Sequence, residues 1–152
     1  MKSHLWILLK TFIIWILYFQ IARVIFLIYQ YFSDSGLDYS QVANSFVHGF
    51  LLDLSIVSYI TILFSLLLIS VNLIGRNYIK ISFKLVNAIL LIAFGLIITI
   101  DAETYSIWGF RLDSSAIQFL KTPKEAAAST TFVTYILMLA IFAINAFVFS
   151  RI

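Results

Sequence analysis

Apolar residues in this chain come in long unbroken runs, separated by three polar stretches, with no strand-like alternation. A membrane-spanning helix needs about 20 predominantly apolar residues. On that measure the pattern predicts four spans, at about 11–32, 46–74, 80–100 and 132–150. Residues 5–9 form an apolar lead-in to the first span. Arg23 is the only charge inside span one and Asp53 the only charge inside span two. The third span is the shortest. Its apolar part begins at Leu85, and it reaches back to 80 if Lys80 and Lys84 snorkel toward lipid headgroups. In a bilayer core the backbone must satisfy its own hydrogen bonds, which leaves helices or a closed barrel. Continuous runs choose helices. The expected fold is an all-α integral membrane protein: four transmembrane helices, with an interfacial segment between helices three and four.

Composition sharpens this picture. Hydrophobic residues make up 62% of the 152 positions and charged residues 11%, against about 25% charged in an ordinary soluble domain. A soluble fold this short could not hide that much apolar surface. One proline and five glycines leave little room for loops. The absence of cysteine removes disulfides and thiolate chemistry. A secretory signal has an apolar core of roughly 7–15 residues and a small-residue cleavage site. Here the run continues to Phe32 with no such site, so the first helix reads as uncleaved.

Charge then sets orientation, because cytoplasmic loops are enriched in Lys and Arg. Lys2, Lys10, Arg76, Lys80, Lys84 and Arg151 would lie on one side, and Arg111, Lys121 and Lys124 on the other. Six against three places the N-terminus in the cytoplasm and the 33–45 and 101–131 segments outside. Trp6, Trp15 and Tyr18 would form an aromatic belt at one interface, and Tyr29, Tyr31, Tyr105 and Trp108 at the other. The scattered basic residues fit a topology signal and not a nucleic-acid surface.

Arg23 lies roughly 13 Å inward from Phe32 and Asp53 roughly 10 Å inward from Phe46, at about 1.5 Å per helical residue. Both distances run from the same face of the membrane, so adjacent antiparallel helices would bring the two charges together. A structural ion pair is the favoured reading; a part in a proton or ion path is the other. Gln20, Arg23, Leu27 and Gln30 share one helical face, turning the polar side of span one toward the bundle. Ser55, Ser58, Thr61, Ser65 and Asn72 form a stripe along span two. Helix packing is the expected use of such a stripe, with a hydrophilic pore as the alternative.

No catalytic set is legible. His4 and His48 stand apart from each other and from acids at ligand spacing, so a metal site within the chain is not expected. Asp101 and Glu103 do not face each other on a helix. No histidine sits beside a serine or threonine in a nucleophile–base arrangement, and no glycine-rich phosphate loop is present.

The 101–131 segment is too long for a simple hairpin and too apolar for a disordered linker. Tyr105, Trp108 and Phe110 precede Arg111 and Asp113; Ile117, Phe119 and Leu120 precede Lys121 and Pro123. That mixture suits a segment lying in the headgroup layer. Residues 122–125 read as a cap into the helix that becomes span four. Two readings stay open: an interfacial linker, or a lipid-headgroup platform with Arg111 as the phosphate contact.

Two stretches, GFLLDLSIVSYI from Gly49 and DAETYSIWGFRLDSSAIQFLKTPKEAAAS from Asp101, resemble the membrane region of the lipoteichoic acid synthase family. The spacing of Tyr105, Arg111, Asp113, Leu120, Pro123 and Glu125 carries the resemblance most, and helix order extends it loosely along the chain. That family consists of phosphoglycerol transferases related to alkaline phosphatases and sulfatases. The resemblance implies a bacterial cytoplasmic (inner) membrane protein with five helices and a large extracytoplasmic enzyme domain. A threonine nucleophile and a divalent metal (Mn, Mg or Zn) would belong to that domain. The sequence departs from the pattern by ending at Ile152, after four helices, and on this reading it is a fragment. No catalytic residue carries over. Arg111, Asp113, Tyr105 and Trp108 would bind the substrate headgroup.

The expected function is therefore the membrane-anchoring and lipid-presenting region of a phosphoglycerol transferase or sulfatase-like enzyme. Its partners would be membrane lipids, anionic phospholipid headgroups above all, and its own enzyme domain. The alternative is a small non-enzymatic membrane subunit that binds partner helices. A transporter is disfavoured, since embedded charges are few and no inverted repeat or broken helix is evident.

Overall fold

A computed structural model describes residues 2–32, 39–71, 75–109 and 132–151. Four helices account for almost all of them: α1 (Lys2–Phe32), α2 (Tyr39–Ile69), α3 (Arg76–Trp108) and α4 (Phe132–Arg151). No strand occurs among the described residues. Stretches within α1, α2 and α3 are long and apolar enough to cross a membrane: Leu5–Phe32, Val42–Ile69 and Asn77–Ser106. Less than a third of each is buried within the chain. Many of the remaining leucine, isoleucine and phenylalanine side chains are exposed, which water would penalise and lipid accepts. The chain is an all-α membrane protein. α4, with the shorter apolar stretch Phe132–Val148, packs alongside.

α1 and α3 touch each other, and each also touches both α2 and α4; α2 and α4 do not meet among the described residues. The cross-section is thus a flattened diamond with α1 and α3 on its short diagonal. The main core, at the α1 N-terminal side, is Trp15, Tyr18, Phe19, Val57, Ile60, Phe64, Phe83, Leu91 and Val148. A smaller cluster of Tyr29, Ala102, Leu137 and Ile141 closes the other half.

Lipid tails are as apolar as leucine, so packing and interhelical hydrogen bonds must hold such a bundle together. The interior is accordingly polar in places: Gln30, Asp53, Asn87, Thr99, Asp101, Thr104, Thr134 and Asn145 are all buried. Trp15 Nε1 donates to Asn87 Oδ1 at 3.2 Å across α1 and α3. Asn145 Nδ2 donates to the Leu91 carbonyl at 3.0 Å across α3 and α4. That second bond needs Gly95, because a Cβ there would fall 2.5 Å from Asn145 Nδ2.

Helix limits differ from the hydropathy spans. α1 and α2 begin several residues earlier, since the turns flanking an apolar run stay helical once the run is docked. α3 continues eight residues past Ile100 and takes in Asp101 and Glu103. It ends where Gly109 adopts a left-handed φ of 72° and its N–H returns to the Tyr105 carbonyl at 2.9 Å, a conformation glycine enters at no steric cost. Residues 101–108, read from sequence as the start of a loop, are therefore helix.

Two further expectations are corrected. Trp15 and Tyr18 do not belong to an interfacial belt; they are 0% and 1% exposed and form the aromatic core with Phe19 and Phe94. Tyr29 is likewise buried, whereas Tyr31 and Trp6 are exposed. The first half of the serine stripe of α2 does not face its neighbours in this chain, while Thr61 and Ser65 are partly buried. Ser55 and Ser58 are exposed and donate to the carbonyls of Leu51 and Leu54 one turn back; Thr61 donates to Val57 in the same way and Ser65 to Ile62. A hydroxyl in an apolar surrounding finds its nearest acceptor on its own helix. Asn72 lies outside the described residues.

Candidate functional site

Two polar centres sit inside the bundle, and each is built from residues far apart in sequence. The first joins α1 to α2. Arg23 Nη2 lies 2.6 Å from Asp53 Oδ2, and the two side chains are 12% and 10% exposed. The same carboxylate oxygen accepts from Gln20 Nε2 at 2.9 Å. Arg23 Nη1 donates to the Ser45 carbonyl at 2.6 Å, with Ser45 Oγ at 3.4 Å. Gly49 makes room for this arrangement: a Cβ there would lie 1.6 Å from Arg23 Nη1.

A buried charge is tolerated when it is both paired and hydrogen-bonded, and this centre meets both conditions. It neutralises one cation with one anion and occupies the cation's donors on protein acceptors, apart from a buried Nε without a partner. That chemistry fixes the register of α1 against α2.

The second centre joins α1, α3 and α4. Glu103 Oε2 accepts a short hydrogen bond from the Tyr29 hydroxyl and another from Thr134 Oγ1 at 2.8 Å. One residue before it, the Ala102 carbonyl accepts from Gln30 Nε2 at 2.8 Å. Tyr105 sits a half-turn further on α3, its ring edge-on to Phe26 with centroids 5.6 Å apart. This centre lies within two turns of Gly109, where α3 ends, and within one turn of Phe132, where α4 begins. The chain between them is thereby held at both of its roots.

Sequence reasoning passed over Glu103, having judged it only against Asp101. A carboxylate close to Tyr and Thr on other helices leaves no local pattern, since its partners stand 74 and 31 residues away. The one available signal was its position at the end of an apolar run, where an unpaired acid is expensive.

Of the residues expected to meet a headgroup, Tyr105 is on α3 and partly buried. Trp108 closes the same helix, its side chain outside the described set. Arg111 and Asp113, like Lys121, Pro123 and Lys124, lie outside the described residues. His48 is exposed on α2. Among the described residues no group of three or more His, Asp or Glu could hold a metal ion, so no step is assigned to one here. Comparison with protein-family models, with curated proteins and with solved structures finds no match.

Proposed function

We propose that this chain is the membrane-anchoring and lipid-presenting region of an extracytoplasmic phosphoglycerol transferase or sulfatase-like enzyme. The Glu103 centre is the observation that supports the reading most. It ties three helices together at the point where the 110–131 segment leaves α3 and returns to α4. A segment carrying Arg111, Asp113, Lys121 and Lys124 then starts from a stiff base. An arginine suits that task, because its planar guanidinium meets a phosphate in bidentate fashion and lysine cannot. In this reading the segment faces the outer leaflet of the bacterial cytoplasmic membrane, the N-terminus is cytoplasmic, and the divalent metal belongs to the enzyme domain.

The test is a paired assay of wild type and Arg111→Lys in the protein as its gene encodes it. Turnover of a lipid-linked phosphoglycerol donor should fall about tenfold or more, the worth of one lost charge-assisted bond. Hydrolysis of a small soluble phosphoester should stay unchanged. Equal loss on both, or on neither, removes Arg111 from substrate binding.

A second reading, a non-enzymatic subunit that binds partner helices, is favoured by one observation: the Ser55–Ser58 stripe of α2 faces away from the other three helices. A coding sequence that stops at codon 152 would support it. A further span followed by a domain with a threonine among Asp and His ligands would support the first.

A further inference from the structure

At the end of the bundle that carries the start of α1 and the end of α4, a groove of about 710 Å³ opens between those two helices. Ile13 and Leu17 of α1 and Ile144 and Phe147 of α4 line it, with Trp6 and Lys10 on its wall nearest the start of α1. The volume lies within the roughly 300–1,000 Å³ typical of small-molecule sites. Its walls are apolar and turned outward; Leu17 is 55% and Phe147 60% exposed.

Lys10 decides what fits. Phe32 ends α1 at 22 residues further on, about 33 Å at 1.5 Å per residue, close to the thickness of a hydrocarbon core. The ammonium is therefore at headgroup depth when α1 spans. Arg23–Asp53 is the only ion pair among the described residues, so Lys10 has no acidic partner among them. An apolar helix seated in the groove would strip water from that ammonium and give nothing back. A lipid gives both an acyl chain for the walls and a phosphate for the cation, and basic pockets between membrane helices bind anionic headgroups in this way.

We propose that the α1–α4 groove is a binding site for one anionic glycerophospholipid, with an acyl chain along Ile13, Leu17 and Phe147 and the phosphate on Lys10. The site stands apart from the Glu103 centre and holds whichever way the protein is inserted.

The experiment releases the protein from nanodiscs of equimolar phosphatidylglycerol and phosphatidylcholine and counts retained lipids by native mass spectrometry. Wild type should retain phosphatidylglycerol over phosphatidylcholine by about fivefold, the effect of one basic residue near the surface. Lys10→Gln should bring that ratio close to one while lipid is still retained. Lys84→Gln, an exposed lysine at the same end but outside the groove, should leave the ratio as in wild type. Ala143→Trp fills the groove and should lose the retained lipid of both kinds. Equal retention by wild type, an unchanged ratio in Lys10→Gln, or an equal drop in Lys84→Gln would overturn the site. So would a dimer abolished by Ala143→Trp, which would give the groove to a second copy. Lys10→Gln touches no buried contact, so it decides the matter even if Ala143→Trp fails to fold.

Discussion

The guanidinium of Arg23 occupies the volume that a side chain at residue 49 would need: a Cβ on Gly49 would lie 1.6 Å from Nη1 and 2.1 Å from Cζ. α2 can thus bring Asp53 and the Ser45 carbonyl to the same guanidinium only because the residue between them is glycine. The ion pair and the glycine are one device.

Gly49→Ala should therefore act through Arg23. The methyl group displaces the guanidinium from Asp53 and Ser45, and the buried carboxylate loses its counter-charge. Breaking such a pair costs about 3–5 kcal/mol. Denaturant titration in detergent should show a loss of that order. In an Arg23→Ala background the same change should be close to neutral, since the space is then free. A full-size effect in that background would place the clash elsewhere.

Arg23→Ala and Asp53→Ala should each destabilise the protein by roughly 3–5 kcal/mol, because each leaves one buried charge without its partner. The double variant should recover part of the sum. Gln20, which also donates to the Asp53 carboxylate, limits how much the cycle returns. Strict additivity in the same titration would mean that the two residues do not stabilise each other.

Glu103→Ala should remove the carboxylate that accepts from the Tyr29 and Thr134 hydroxyls. Interhelical hydrogen bonds in membranes are worth about 0.6 kcal/mol on average and up to about 1.7, so two lost bonds amount to roughly 1–3 kcal/mol. Glu103→Gln keeps an amide oxygen at the same reach and should lose less. The readout is the thermal melt of both variants in one detergent. A Gln variant as unstable as the Ala variant would mean the negative charge, and not the acceptor, holds the three helices.

Tyr18→Phe should raise stability. The Tyr18 hydroxyl is buried and has no partner among the described residues, so removing it relieves an unmet donor without changing the ring packing against Trp15 and Phe19. The gain should be about 1 kcal/mol, the low end of the penalty for an unsatisfied buried group. A fall in melting temperature would show that the hydroxyl is bonded in the membrane.

The charge asymmetry makes a topological prediction. Cysteines introduced singly at Gly36 and Ser115 should react with an impermeant thiol reagent in intact cells, and one at Asn77 should not. Labelling at Asn77 would reverse the orientation proposed for the chain.

What the sequence determined by itself is the solvent, the helical class and the depth of each charge. Hydropathy is a sum along the chain, and 62% apolar residues in long runs leave lipid as the only solvent for them. The similar depths of Arg23 and Asp53 follow from counting residues. The tertiary structure decided which face of each helix meets which neighbour. A period of 3.6 residues defines a face but not its partner, so the α2 serine stripe could equally have pointed in or out; Ser55 and Ser58 point out, each hydroxyl closed on the carbonyl one turn back. Trp15 and Tyr18 carry the composition of an interfacial belt and became core because they lie on the face of α1 that packs against the other helices, while its opposite face is left to lipid. Glu103 reads as the start of a loop because an acid ends an apolar run. It lies inside α3 because Tyr29 and Thr134, on helices that only the fold brings together, supply the hydrogen bonds that water would otherwise have to provide.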